Sequence, residues 1–142
     1  MYPFIQALHV GNFKLVLGSF IVLIGSLLLL RRKPEFMQSK GQRYFTLAYM
    51  ILVDVQLILG IALYFTSPTV GSALSDFGAA MEASRLRFFA LEHPLTGLLT
   101  VSFAHLIYRT AKRNPENHKR ILTYTVLSSI MLVLTARSLL TE

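Results

Sequence analysis

Two histidines, His9 and His93, lie inside long apolar runs, where an imidazole is costly unless it has a partner. His93 stands in the stretch FFALEHPLTGLL, residues 88–99, between Glu92 and Pro94. Two imidazoles at one depth on facing helices are the axial ligand set of a b-type haem, which needs a slot between those helices. Pro94 deletes the hydrogen bond back to the carbonyl of Ala90 and is expected to kink its helix, opening such a slot. Gly97, four residues on from His93, shares its face and leaves room for a flat ring. Glu92 projects about 100° away from His93, so it suits orienting His9, pairing with Arg137 or exchanging protons rather than ligation. Arg85, Arg87 and Arg137, together with Lys14, are the cations expected near enough to neutralise haem propionates.

Further in, the sequence offers two weaker constellations. His105 and His118 both fall toward the opposite end and would hold a second haem. His93 and His105 are about 18 Å apart along a straight helix, but about 120° apart in azimuth, and His118 reads equally well as a solvated loop residue. Lys14, Asp54 and Gln56 fall near the middle of their runs. Lys14 and Asp54 are expected to form an ion pair between the first two helices, with proton or ion passage through Lys14, Asp54 and Glu92 as the sharper alternative.

The elements that must position these groups are four apolar segments, at about residues 4–30, 44–66, 88–108 and 121–140. Each approaches or exceeds the ~20 residues that a helix needs to cross ~30 Å of hydrocarbon. The 142-residue chain is 54% hydrophobic and 15% charged, so its apolar content is concentrated in these runs. The fold expected is all-α: a single transmembrane up-down four-helix bundle spanning residues 1–142, with short loops joining antiparallel neighbours. The first segment lacks a basic start and a small-residue cleavage pattern, so it is expected to be retained. Asn114 in TAKRNPENHKR is a candidate cap for a last helix beginning near Pro115. Residues 67–87 read as a turn followed by a short surface helix or an early start of the third helix.

The net charge of +7 invites a nucleic-acid partner, but its placement points elsewhere. Ten of the 14 basic residues sit in the loops 31–43 and 109–120, including Arg31, Arg32 and Lys33 in the first, and Arg109, Lys112 and Arg113 in the second. Those loops share one side, which the positive-inside rule makes cytoplasmic, with both termini on the outer, periplasmic side of a bacterial inner membrane. The expected partners are the lipid bilayer, anionic lipid at the basic loops, and a redox partner or larger membrane complex. Gly11, Gly18 and Gly25 recur every seven residues, a stripe suited to packing inside the bundle or to a homodimer seam. The hydroxyls of the last helix, Thr123, Thr125, Ser128, Ser129, Thr135 and Ser138, are expected to bond between helices. With no cysteine, c-type haem attachment, thiolate zinc, iron–sulfur clusters and disulfides are excluded. No nucleophile–base pair or phosphate loop is present, so hydrolase and transferase chemistry has no support.

The segments ALHVGNFKLVLG, VQLILGIALYF, RFFALEHPL and the basic AKR…HKR before the last helix resemble those of small four-helix integral membrane proteins of Bacteroidota-type bacteria described as cytochrome-b-like. That resemblance, over most of the chain, implies a b-type haem protein with histidine ligands, matched here by His9 and His93, with His118 in the HKR segment. The second helix departs from the pattern: it reads DVQ, with Asp54 and Gln56, where a histidine before the glutamine is expected. The function expected is therefore electron carriage through bis-histidine haem b, as a carrier or complex subunit rather than a stand-alone enzyme. The alternatives are a cofactor-free accessory or scaffold subunit and a small proton or ion carrier.

Overall fold

A computed structural model describes residues 1–30 and 33–137. Arg31 and Arg32 of the first basic loop, and Ser138 with the rest of the expected final turn to residue 140, lie outside the described residues. The described chain is helical, with no strand: α1 (Tyr2–Leu30), α2 (Pro34–Met37), α3 (Lys40–Thr66), α4 (Pro68–Ser75), α5 (Phe77–Glu82), α6 (Ser84–Arg87), a π turn (Phe88–Glu92), α7 (His93–Arg113) and α8 (His118–Ala136). Arg87, Phe88, Glu92 and His93 all have right-handed helical dihedrals, so α6, the π turn and α7 form one unbroken helical run.

Side-chain caps set several starts. Ser39 accepts from the Gln42 amide (3.1 Å) and begins α3 four residues before the apolar run, with Gly41 in its first turn. Ser67 caps α4 and Asp76 caps α5, dividing the outer loop into short helices. Asn114 does not cap the last helix as expected. It ends α7, its amide donating to the Thr110 carbonyl (2.8 Å), and Asn117 caps α8 through the Arg120 amide (3.1 Å).

α1 lies along α3, α3 along α7 and α7 along α8, with a slighter meeting of α1 and α8. The buried residues of α1 are Phe13, Val16, Phe20, Leu23 and Leu27, alternating steps of three and four that make a narrow seam. Across the core, the fully buried Tyr49 hydroxyl meets Ser128 of α8 at 3.0 Å. The glycine stripe is not part of this packing: Gly11 and Gly18 are exposed, and a Cβ on Gly11, Gly18 or Gly25 would meet nothing within 4 Å. The seam is carried instead by the large residues on another face of α1. Nor do most hydroxyls of α8 reach a neighbour. Thr123, Thr125 and Ser129 bond back to carbonyls of their own helix, and only Ser128 and Thr135 have partners on other helices among the described residues.

Large apolar side chains point outward as well as inward. Phe65 is 80% exposed, Val133 70% and Ile58 66%, a surface suited to lipid rather than water. Three helices, α1, α3 and α8, are long and apolar enough to cross a membrane. Four such segments are expected from the sequence. The segment 88–108 is continuous as a helical run but is less apolar, because it holds Glu92, His93 and His105 and α7 continues into Arg109, Lys112 and Arg113.

Candidate functional site

The structure brings His9 of α1 and His93 of α7 together. Their ring centroids are 6.1 Å apart with the planes inclined at 62°. Each Nδ1 is buried and has no hydrogen-bond partner among the described residues. The rings border a cavity of about 390 Å³ lined largely by apolar groups, including Phe13, Leu57, Phe89 and Leu132, with Gly97 along one side. A Cβ on Gly97 would meet nothing within 4 Å, so space does lie open beside it. Cavities of a few hundred Å³ with apolar walls and a few convergent polar atoms are the usual form of a cofactor or small-ligand site.

The orientation of His9 follows from a short polar relay that its own spacing sets up. Asn12, three residues on, faces α3 with it, and Gln56 and Gly60, four apart, share the opposing face of α3. The Asn12 amide donates to the Leu52 carbonyl (3.0 Å) and to Gln56 Oε1 (2.8 Å). With its oxygen so engaged, Gln56 presents its own NH₂ to His9 Nε2 at 3.1 Å. In this arrangement the proton is on Nδ1; ligation through the unpartnered Nδ1 requires the other tautomer, in which Nε2–H donates to a turned Gln56 amide. Gly60 lies against the ring edge: a Cβ there would come within 3.4 Å of His9 Cε1. None of Asn12, Gly60 and Tyr64 is singled out by the apolar pattern, although the i,i+3 and i,i+4 spacings were there to read.

His93 is positioned by the backbone irregularity around it. Its N–H reaches back five residues to the Phe88 carbonyl, the π-type bond that widens the helix ahead of Pro94. Pro94 has no N–H for the Ala90 carbonyl, and Tyr64 of α3 fills that place, its hydroxyl donating to Ala90 O at 3.0 Å. The ring of His93 packs against Phe88 (5.5 Å) and Phe89 (6.3 Å). Tyr64→Phe is expected to lower stability by about 1 kcal/mol by leaving that carbonyl unpaired. A thermal melt in detergent followed by circular dichroism checks it, and an unchanged melt would show that the carbonyl does not depend on Tyr64.

The other predicted site residues sit apart from this pair. Glu92 accepts from Arg87 Nε at 2.8 Å and lies 3.8 Å from Arg137 Nη1, so two of the expected propionate partners are engaged with a carboxylate. Arg87 also donates to the Met81 carbonyl (2.7 Å), tying the helix start to α5. Arg85 is exposed. Asp54 does not pair with Lys14 among the described residues. Its carboxylate meets His105 Nε2 of α7 at 2.8 Å, and Lys14 is exposed. The reason is rotation: Asp54 is two residues from Gln56 and Lys14 two from Asn12, so each points about 200° away from the α1–α3 contact. His105 therefore faces a carboxylate, not a second imidazole. His118 stands at the first turn of α8 with a buried, unpartnered Nδ1, and the two rings make no contact like that of His9 and His93 among the described residues. No cluster of three or more acidic or histidine ligands occurs among the described residues.

Comparison with protein-family models, curated proteins and solved structures finds no match to this chain.

Proposed function

We propose that this protein is an integral membrane electron carrier that holds one b-type haem between His9 and His93. The observation that carries this reading is the pair of rings 6.1 Å apart, each with an orphaned buried nitrogen, at the edge of an apolar cavity. His9 and His93 would be the residues that hold the iron. Bound there, haem iron would take up and release single electrons.

The chain's own residues supply position and exclusion. Asn12 and Gln56 restrain the His9 ring, a role in which partners of ligating histidines usually matter. Phe88 and Phe89 restrain His93, and the walls of the cavity are largely apolar. Gly97 gives the open side along which a flat macrocycle would lie.

The helices would form an up-down four-helix transmembrane bundle in a bacterial inner membrane, α7 crossing under the cover of α3 and α8. Both termini would be periplasmic and the basic loops cytoplasmic, which places the haem toward the periplasmic side. A redox partner or larger membrane complex would exchange electrons with it there.

Purified protein titrated with haem tests this reading, with bound haem quantified as the pyridine haemochrome. Saturation at one haem per chain is the expected result. A folded, monodisperse protein that takes up none would favour an accessory or scaffold subunit, in which the same polar groups only lock helix packing.

A further inference from the structure

A second concavity lies on the opposite half of α7. It is a groove of about 550 Å³ bordered by Met50 of α3 and by Ser102, His105, Leu106, Arg109 and Lys112 of α7, ending at Arg113. Its α7 residues recur at steps of three and four, so they form one face of the helix. The face is graded. Ser102 and Leu106 flank its inner part and three cations crowd its end.

Those cations, Arg109, Lys112 and Arg113, have no acidic partner among the described residues. Lys112 is held over the face of Tyr108, its ammonium 5.8 Å from the ring centroid, which keeps the charge at the groove. The turn at residues 114–117 sets this end of α7 beside the start of α8, one end of a helix long enough to cross a membrane. Three uncompensated cations at such an end, continuing into an apolar groove between two helices, match an amphiphile with an anionic head and a hydrocarbon tail. A soluble anion would use the cations and leave the groove empty.

We propose that this groove binds an anionic diacyl phospholipid. Arg109, Lys112 and Arg113 hold its phosphate, and an acyl chain lies along Met50, Leu106 and Ser102. One turn in from Arg109, about 6 Å, the exposed His105 imidazole is steadied by Asp54. The polar interface of a bilayer is about 5–8 Å deep on each side, so His105 stands level with the ester groups of a lipid whose phosphate is at Arg109. This gives the half-exposed Asp54–His105 pair a polar neighbour on the lipid-facing surface. Basic pockets between transmembrane helices are a recurring form of anionic-lipid site. The proposal is independent of haem at the other end of the molecule.

The test is native mass spectrometry of the full chain released from detergent, after equilibration with phosphatidylglycerol or with phosphatidylcholine of the same acyl chains. Phosphatidylglycerol is expected to be retained preferentially, by about tenfold or more. Arg109→Gln, Lys112→Gln and Arg113→Gln combined should remove the preference. Lys33→Gln, Lys40→Gln and Arg43→Gln, which remove equal charge from the other basic loop, should keep it. Ser102→Trp, at an exposed position, should lower retention by filling the acyl part of the groove while helical content stays the same. Equal retention of the two lipids, or a preference that survives the first triple substitution, would overturn the proposal. So would full retention in Ser102→Trp combined with displacement by millimolar inorganic phosphate, because the site would then be one for phosphate alone.

Discussion

His93→Ala is expected to yield a helical, membrane-inserted protein that no longer retains haem. The imidazole stands where the π turn passes into α7, held against Phe88 and Phe89 and facing His9 at 6.1 Å. Alanine is a good helix former and leaves the π turn, Pro94 and the Tyr64–Ala90 bond in place. Loss of a group that merely orients a metal-bound histidine costs about 10–100-fold in affinity, so loss of the ligand itself should exceed that. His9→Ala should behave alike, while His105→Ala, whose side chain is engaged with Asp54, should keep the haem. The comparison is the ratio of Soret to protein absorbance after identical purification, with far-ultraviolet circular dichroism as the control for folding. Equal haem content in His93→Ala and the parent would remove His93 as a ligand.

Gly97→Leu should have a comparable effect by a different route. Glycine at this position is not demanded by helix packing, because a Cβ there meets nothing within 4 Å. It borders the cavity beside His93, and a leucine would extend into that space. Burying an apolar side chain in an apolar void commonly stabilises a protein by about 0.5–2 kcal/mol, so the variant should melt no lower than the parent. Its haem retention should nevertheless fall by about tenfold or more, the scale on which apolar sites reject a misplaced group of this size. Equilibrium haem titration and a thermal melt measured on the same preparation separate the two effects. A stabilised protein with undiminished haem affinity would mean that the ring lies elsewhere.

The pairing of His9 with His93 was legible because depth along a membrane helix is a matter of counting residues, and both histidines fall a few residues inside the same end of parallel helices. Azimuth was harder to read. Depth alone pairs Asp54 with Lys14, whereas the angle from Gln56 turns Asp54 toward α7 and its partner His105. The period of Gly11, Gly18 and Gly25 suits packing inside the bundle or a homodimer seam; the first is not what they do, since the core of α1 runs through Phe13, Val16, Phe20, Leu23 and Leu27. In a membrane segment, both faces are apolar, so hydropathy does not reveal which one meets protein. The kink expected at Pro94 takes the form of a π turn before it, closed by the Tyr64 hydroxyl on the Ala90 carbonyl. That bond joins residues 26 apart in sequence, and no local pattern announces it. Glu92, for which the sequence leaves open orienting His9, pairing with Arg137 or exchanging protons, accepts from Arg87 and lies 3.8 Å from Arg137.

The coordination state of iron in the purified, haem-loaded protein bears on the proposed ligation more closely than haem content does. Two imidazole ligands impose a six-coordinate, low-spin iron, visible in the ferric electron paramagnetic resonance spectrum and in sharp α and β bands on reduction. The expected result is a low-spin signal in the parent that becomes high-spin, or disappears with the haem, in both His9→Ala and His93→Ala. A high-spin, five-coordinate iron in the parent protein, or a low-spin signal unchanged in either variant, would contradict ligation by this pair.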